Sequence, residues 1–134
     1  MKAATGVEIT LLSGVPHGQS HIMTGDFSTR NLLIATVDKA FLGCSVISSD
    51  GEILCGIPTE LGINETMISH AQTYYILADH TKIGKASTYA SFSLEKAGTI
   101  ITDEKAPANV VEQLHTIGMT VIQVKKTDFS ALAD

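Results

Sequence analysis

Apolar runs alternate along this chain with polar, glycine-containing punctuation, and the spacing of the apolar positions predicts strands that alternate with helices. Strands are predicted at 7–12, 39–47, 73–78, 97–103 and 119–124, and helices at 27–37, 59–72 and 106–118. Residues 14–26 hold three glycines and a proline and are predicted to be a loop. This order of elements is typical of an α/β protein.

The segment 106–118 is the clearest of the predicted helices. Pro107 lies near its first turn, Val110 and Leu114 belong to its apolar face, and Gly118 marks its end. The other two helices have candidate caps at their starts. Asp26 is the expected cap of 27–37. Thr59 is a weaker cap for 59–72, because the following glutamate stands at the wrong offset for a capping box.

The central runs "KAFLGCSVI" (39–47) and "TYYILA" (73–78) are almost continuously apolar. Such runs are typical of strands that are buried on both faces of a parallel sheet. The predicted fold class is therefore α/β, with a mostly parallel sheet of about five strands flanked by helices. At 134 residues the chain is expected to form a single domain, 1–134, with a polar tail at 125–134.

Composition narrows the classes of function. The net charge is −5, and the basic residues are scattered, so the chain is not expected to hold nucleic acid by itself. No signal peptide or membrane-spanning run is present, which predicts a cytoplasmic protein that does not enter a membrane. Cys44 and Cys55 are expected to be reduced and packed, with a disulfide or a metal site as the alternative. No metal-ligand spacing was found, and no cofactor is expected.

Polar residues follow the second central strand in "YYILADHTKIGKAS" (74–87), where a parallel sheet gathers its ligands. Lys82 offers a full charge and three donors to a phosphate or a sugar hydroxyl. The alternative is a surface lysine or an ion pair with Asp79. Asp79 could accept from sugar hydroxyls or orient Lys82, or it could cap the turn through the backbone of Thr81.

The motifs at the strand ends carry a family resemblance over residues 38–124. The pieces are "DKAFLGCSVISSDGEI", a glutamate-containing helix ending in "MISHA", "YYILADHTKIGKAS", "IITD" and "LHTIGMTVIQV". Their order resembles the sensor domain of DeoR-family transcriptional regulators, and "ADHTKIG" is the most specific of them. The segment "VEITLLSG" is similar to the strand and turn that precede this region in the family. Three positions depart from the family pattern: Asn64, Val46 and Ile83 replace the commoner Lys, Gly and Phe.

The resemblance implies a fold similar to that of ribose-phosphate isomerases and a phosphorylated sugar, or a sugar-derived metabolite, as effector. The site residues it implies are Lys82, Asp79, Glu60, Gly43 and Asn64. Glu60 would face the pocket, or else merely favour the start of its helix. Gly43 would let backbone approach the ligand, or else mark the end of a strand. Asp103 is expected to cap the following helix, and His80 is expected to be exposed.

Two parts of such a regulator were not found in the sequence. They are the winged helix that binds DNA and the first part of the sensor, with its phosphate-cradling loop. The chain is therefore expected to be the C-terminal part of a regulator that reaches DNA only through a domain absent from it. The sheet surface that the missing part would cover predicts a homo-oligomer.

Two alternatives stay open. The first is an isomerase-like enzyme that uses Asp79, Glu60 and Lys82, although the glycine-rich lysine segment of the isomerases does not occur. The second is a fragment that folds but binds nothing, because the phosphate loop is missing.

Overall fold

A four-stranded parallel sheet lies at the centre of the computed structural model, which describes residues 6–17, 22–86, 91–92 and 98–125. In chain order the elements are β1 (Val15–His17), β2 (Ile22–Thr24), α1 (Asp26–Leu33), β3 (Val37–Gly43), β4 (Val46–Ile47), β5 (Ile53–Leu54), α2 (Pro58–Ser69), β6 (Ala71–Leu77), a 3₁₀ turn (His80–Lys82), β7 (Ser91–Phe92), β8 (Thr99–Asp103), α3 (Ala108–Thr116) and β9 (Thr120–Val124).

The strand order of the central sheet is β3-β6-β8-β9, and every neighbouring pair is parallel. Its register sets Leu42 beside Ile76, Ile76 beside Ile100, and Ile100 beside Val121. Because all four strands point the same way, their carboxyl ends lie along one edge of the sheet. The predicted α/β class with a parallel sheet is confirmed.

Two smaller antiparallel sheets complete the described strands, and neither was predicted. One is the hairpin of β1 and β2, which lies inside the segment predicted to be a loop. The other has the order β4-β5-β7. Conversely, the strand predicted at 7–12 is wrong, because residues 7–12 have no regular secondary structure. Strand propensity reflects packing on a pleated surface and does not create a strand without a neighbour to pair with.

The strand predicted at 39–47 is in fact two strands in different sheets. β3 ends at Gly43, and the Ser45 amide donates to the Leu54 carbonyl at 2.9 Å, which leads the chain into the β4–β5 pairing. A turn joins β4 to β5, since Gly51 N donates to Ser48 O and Ser48 N to Glu52 O. The continuous apolar run concealed the change of sheet, because both strands contribute to one core.

The core lies on one face of the parallel sheet, so the prediction that β3 and β6 are buried on both faces is wrong. The burial of β3 alternates, with Ala40 and Leu42 buried and Phe41 55% exposed. Ile76 and Ile100 are 0% exposed on the covered face, where α2 and α3 contribute side chains to the same cluster. Burying one such side chain stabilises the fold by about 1.5–3 kcal/mol.

The opposite face keeps apolar side chains exposed, among them Leu77 at 43% and Ile122 at 44%. The rings of Phe41 and Tyr75 stack on this face with their centroids 5.1 Å apart. The expected homo-oligomer would cover this surface, and it stays a prediction. The single-domain assignment also stays a prediction, and residues 126–134 of the predicted polar tail lie outside the described residues.

The helices are shorter than predicted at one or both ends, and their starts differ from the predicted caps. Asp26 is the first residue of α1 rather than its cap, which is Gly25, and no side chain caps this helix. Thr59 lies inside α2, whose N-cap is Ile57, with Pro58 in the first position. The remaining boundaries shift by up to four residues, as at the end of α1, which is predicted at 37 and lies at Leu33. No described helix is long and apolar enough to cross a membrane.

The one-sided core makes a prediction about stability. Ile100→Ala should lower the free energy of unfolding by about 2–5 kcal/mol, because it leaves a cavity among fully buried neighbours. Ile34→Ala is the matched control, since Ile34 is 88% exposed and its truncation should cost less than about 0.5 kcal/mol. Urea denaturation measures both, and equal losses would contradict the assigned core.

Candidate functional site

The turn after β6 carries two of the predicted site residues, Asp79 and Lys82. Asp79 precedes the 3₁₀ turn as its N-cap, and its Oδ1 accepts from the Thr81 amide at 2.8 Å and from the Thr81 hydroxyl. These hydrogen bonds hold the pKa of Asp79 below its usual value. The Asp79 carbonyl also accepts from Lys82 N at 3.0 Å. This geometry matches the structural alternative for Asp79, a turn cap.

The far end of the same turn is fixed against the small sheet. Ile83 is 4% exposed and forms a bridge with Ile47, and Gly84 N donates to the Ile47 carbonyl at 2.7 Å. Gly84 has φ +75°, and a Cβ there would lie 2.8 Å from Cγ2 of Val110. Glycine is therefore required both for the left-handed backbone and for the close approach of α3. Lys82 thus projects from a turn that is held at both ends.

Asp103, at the end of β8, ties this turn to the neighbouring strand. Its Oδ2 accepts from the His80 amide at 2.8 Å and lies 2.9 Å from His80 Nδ1, and its Oδ1 accepts from Lys105 N at 2.9 Å. These hydrogen bonds lower the pKa of Asp103 to about 2, and the bonds from His80 have the largest effect.

Two predictions for this corner are wrong. Asp103 does not cap α3, whose N-cap is Pro107. The carboxylate of Asp103 instead accepts from Lys105 N in the turn that begins at Asp103 and from His80 in the turn that follows the neighbouring strand β6. His80 is not simply exposed, since its ring contacts Asp103 although its side chain is 38% accessible. The short loop between β8 and α3 leaves Asp103 facing the strand end beside it rather than the helix.

A cavity of about 560 Å³ lies where β3 ends, between the start of α2 and the turn that carries Lys82. Four of the five predicted site residues line it: Gly43, Glu60, Asn64 and Lys82. Asp79, the fifth, is not among its lining residues. The other lining residues are Thr10, Leu11, Leu12, Met23, Phe41, Leu42, Cys44, Ser45, Ile63 and Met67.

Lys82 and Glu60 give the cavity one positive and one negative charge. Both residues are half-buried. Within the described part of the chain, neither makes an ion pair or a hydrogen bond through its side chain. A charge that is partly removed from water and has no partner raises the free energy of the folded state, and an oppositely charged or hydrogen-bonding ligand would lower it. The cavity therefore offers an anion-binding group and a hydrogen-bond acceptor on different elements.

Asn64 and Cys44 line the cavity, and Cys55 contacts Asn64 without lining it. Asn64 Nδ2 donates to Cys55 Sγ at 3.1 Å, so one amide proton is committed to the protein. Cys44 lines the cavity, and burial raises the pKa of its thiol to about 11, although Lys82 acts in the opposite direction. Both thiols are buried and free. No group of three or more side chains that could hold a metal ion occurs among the described residues.

Sequence reasoning missed part of the lining. Ser45 and Cys44 stood within the "GCS" punctuation after β3, and this signal could have added them to the candidate list. Thr10, Leu11, Leu12 and Met23 carried no such signal, because they come from an irregular segment and a two-stranded hairpin far away in sequence. Only the folded chain brings them to the cavity.

Comparison with known proteins gives a family match and a set of related regulators. The family model described as "DeoR C terminal sensor domain" matches residues 1–104. The match includes the N-terminal residues of the cavity lining, and it confirms the resemblance inferred from the motifs.

Three related proteins illustrate the similarity. A protein of Escherichia coli O157:H7 named for transcriptional repression of the aga operon is 28% identical over 121 residues, 90% of this chain and 45% of that protein. The HTH-type transcriptional repressor GlcR of Bacillus subtilis (strain 168) is 33% identical over 98 residues, 73% of this chain and 38% of that protein. The HTH-type transcriptional regulator GlpR of Haloferax volcanii is 24% identical over 115 residues, 86% of this chain and 45% of that protein. The chain spans less than half the length of these relatives.

The hydrogen bonds of Asp103 predict how stability depends on pH. Its folded-state pKa is about 2, below the ordinary 3.8, so the folded state binds fewer protons than the unfolded state as pH falls. The contribution of Asp103 is therefore fully present above about pH 4 and is lost between about pH 4 and pH 2. Asp103→Asn should be less stable than the original chain at pH 7, and the difference should shrink across this window. Urea midpoints from pH 2 to 7 measure it, with Glu104→Gln as control, and a difference that stays constant would contradict the assignment.

Proposed function

This chain belongs to the DeoR C-terminal sensor domain family, and we propose that it forms the effector-binding part of a transcriptional regulator of carbohydrate metabolism. The proposed effector is a phosphorylated sugar or a sugar-derived metabolite. The observation that carries the proposal is the cavity at the end of β3, which gathers Lys82, Glu60, Asn64 and Gly43.

Lys82 would bind the phosphate of this effector. Its ammonium group offers three donors and a full charge, and it has no ion-pair partner among the described residues. Gly43 carries no side chain, and a Cβ built there would meet nothing within 4 Å, so ligand atoms can approach the backbone at the end of β3. Both residues line the same cavity, and we propose that one phosphate contacts both.

Glu60 and Asn64 would bind the sugar hydroxyls. They lie one helical turn apart on α2, so they occupy the same face of that helix. The carboxylate of Glu60 is an acceptor, and Asn64 retains its amide oxygen as an acceptor while its nitrogen donates to Cys55. Glu60 also brings a negative charge, which disfavours a second phosphate. We therefore propose a ligand with one anionic group and several hydroxyls.

The proposed role is sensing rather than catalysis. An aldose–ketose isomerase needs a carboxylate base positioned against the substrate. Asp79 is bonded to Thr81 and does not line the cavity, so only Glu60 and Lys82 of the three residues of the isomerase alternative lie there. The relatives are named as transcriptional repressors or regulators, which supports the same reading.

The remaining parts of the proposal concern the whole regulator. The net charge of this chain is −5, which does not favour DNA binding. We propose that effector binding is signalled to DNA through a winged-helix domain outside this chain. We propose that the protein acts in the cytoplasm as a homo-oligomer. The exposed apolar face of the parallel sheet supports assembly, because it presents Leu77 and Ile122 to solvent.

The first test removes the cation of the cavity. Lys82→Ala should weaken the binding of sugar monophosphates by about 1.5–3 kcal/mol, the usual worth of a hydrogen bond to a charged group, or about 10- to 100-fold in Kd. Isothermal titration with a panel of pentose and hexose monophosphates measures it. Lys85→Ala is the matched control, since Lys85 is exposed three residues further on and does not line the cavity. Equal affinities for Lys82→Ala and the original chain would refute the role of Lys82.

The second test concerns selectivity for one phosphate. The original chain should prefer a hexose monophosphate to the corresponding bisphosphate. Glu60→Gln should shift this preference toward the bisphosphate by about tenfold, because it removes one unit of negative charge at partly screened distance. The exposed Glu65→Gln, on the same helix, is the control. An unchanged ratio of the two affinities in Glu60→Gln would show that Glu60 does not select the ligand.

A further inference from the structure

We infer that Asp103 is a positioning residue of the effector site: its carboxylate holds the turn that aims Lys82 into the cavity. The inference rests on the proposed function, in which Lys82 binds the phosphate of the effector. Asp103 itself does not line the cavity and belongs to a different strand.

The geometry joins two neighbouring strand ends through one side chain. β6 and β8 are adjacent and parallel, and Ala78 N donates to the Ile101 carbonyl at 3.1 Å, which extends their pairing to the end of β6. Just beyond this point, one oxygen of Asp103 takes the His80 amide and contacts the His80 ring, while the other takes Lys105 N. A single carboxylate thus locks both turns to each other.

The protonation of this pair follows from the chemistry of the acceptor. The pKa of Asp103 is lowered to about 2, so the carboxylate is ionised at neutral pH and can only accept. His80 must therefore carry its proton on Nδ1 to make the 2.9 Å contact. Its Nε2 has no hydrogen-bond partner among the described residues. The hydrogen bonds from Asp103 to both turns are the observation that supports a positioning role.

The lock reaches Lys82 through the backbone of a short turn. His80 and Lys82 are the first and last residues of the same 3₁₀ turn, and Ile83 N donates to the His80 carbonyl at 3.3 Å. The Asp79 cap closes the turn internally, but it does not connect it to a neighbouring strand. Gly84 N ties the far end of the turn to β4, and Asp103 ties its start to β8, so the two connections together fix the direction in which the turn points.

Amide hydrogen exchange in the ligand-free 134-residue chain tests the lock directly. Asp103→Ala should speed exchange at Thr81 and Lys82 by about tenfold or more, because their turn loses its hydrogen bonds to the end of β8. The neighbouring exposed Glu104→Ala should leave these rates unchanged. ¹⁵N NMR should also find His80 protonated on Nδ1 in the original chain. Unchanged exchange at both amides in Asp103→Ala would overturn the inference.

Titration with a sugar monophosphate separates a role through Lys82 from a general structural role, because it compares the effect of Asp103→Ala on affinity with and without Lys82. Asp103→Ala should weaken binding by about tenfold in the original background, and should have almost no effect in the Lys82→Ala background. Equal losses in both backgrounds would mean that Asp103 does not act through Lys82, and would also overturn the inference. If no sugar phosphate binds the original chain, the proposed function fails, while the exchange measurement still decides whether Asp103 holds the turn.

A second variant covers the case in which Asp103→Ala does not fold. His80→Ala removes the ring contact and keeps the backbone bond to Asp103. It should speed exchange at Thr81 and Lys82 by a smaller factor and shift sugar monophosphate affinity in the same direction. A folded His80→Ala with the exchange rates of the original chain would count against the lock.

Discussion

Burial of alternate residues on one face of the parallel sheet is the constraint on which the rest of this structure depends. Leu42, Ile76 and Ile100 lie side by side across three strands, and α3 covers them with Leu114 among other residues. A shift of one residue in any strand would turn these side chains to the exposed face. The register is therefore fixed by hydrophobic burial, and it fixes where every strand ends.

The ends of the strands are where the polar chemistry accumulates. β3 ends in Gly43 beside the cavity, β6 leads into the turn of Lys82, and β8 ends in Asp103. The backbone of each turn is held by hydrogen bonds to a neighbouring element rather than by packing alone. The hydrophobic register sets the positions of the strand ends, and the hydrogen bonds hold the turns that follow them.

The charged residues at this edge divide into two groups with different uses. The carboxylate of Asp79 accepts from the hydroxyl and the amide of Thr81, and that of Asp103 accepts first from the His80 amide, which lowers both pKa values. Lys82 and Glu60 are half-buried and keep their side chains free of ion pairs within the described chain. The first group holds the turns, and we propose that the second group contacts the ligand. Asp79 and Lys82 follow the same strand, so the sequence does not distinguish them as candidate ligand contacts. In the structure, only Lys82 lines the cavity.

The sequence by itself determined the fold class, the order of the main elements and the family, and the family resemblance implied four residues that line the cavity. These depend on local periodicity and on motifs, such as "ADHTKIG", in which neighbouring residues carry the signal. The tertiary structure alone decided three further matters: that β3 and β4 belong to different sheets, that one face of the sheet is exposed, and that Asp103 bonds to His80 rather than capping α3. Each of these depends on which distant segment lies alongside. An apolar run looks the same whether one face or both are covered, and a carboxylate at a strand end takes whichever amides the neighbouring strand brings within reach.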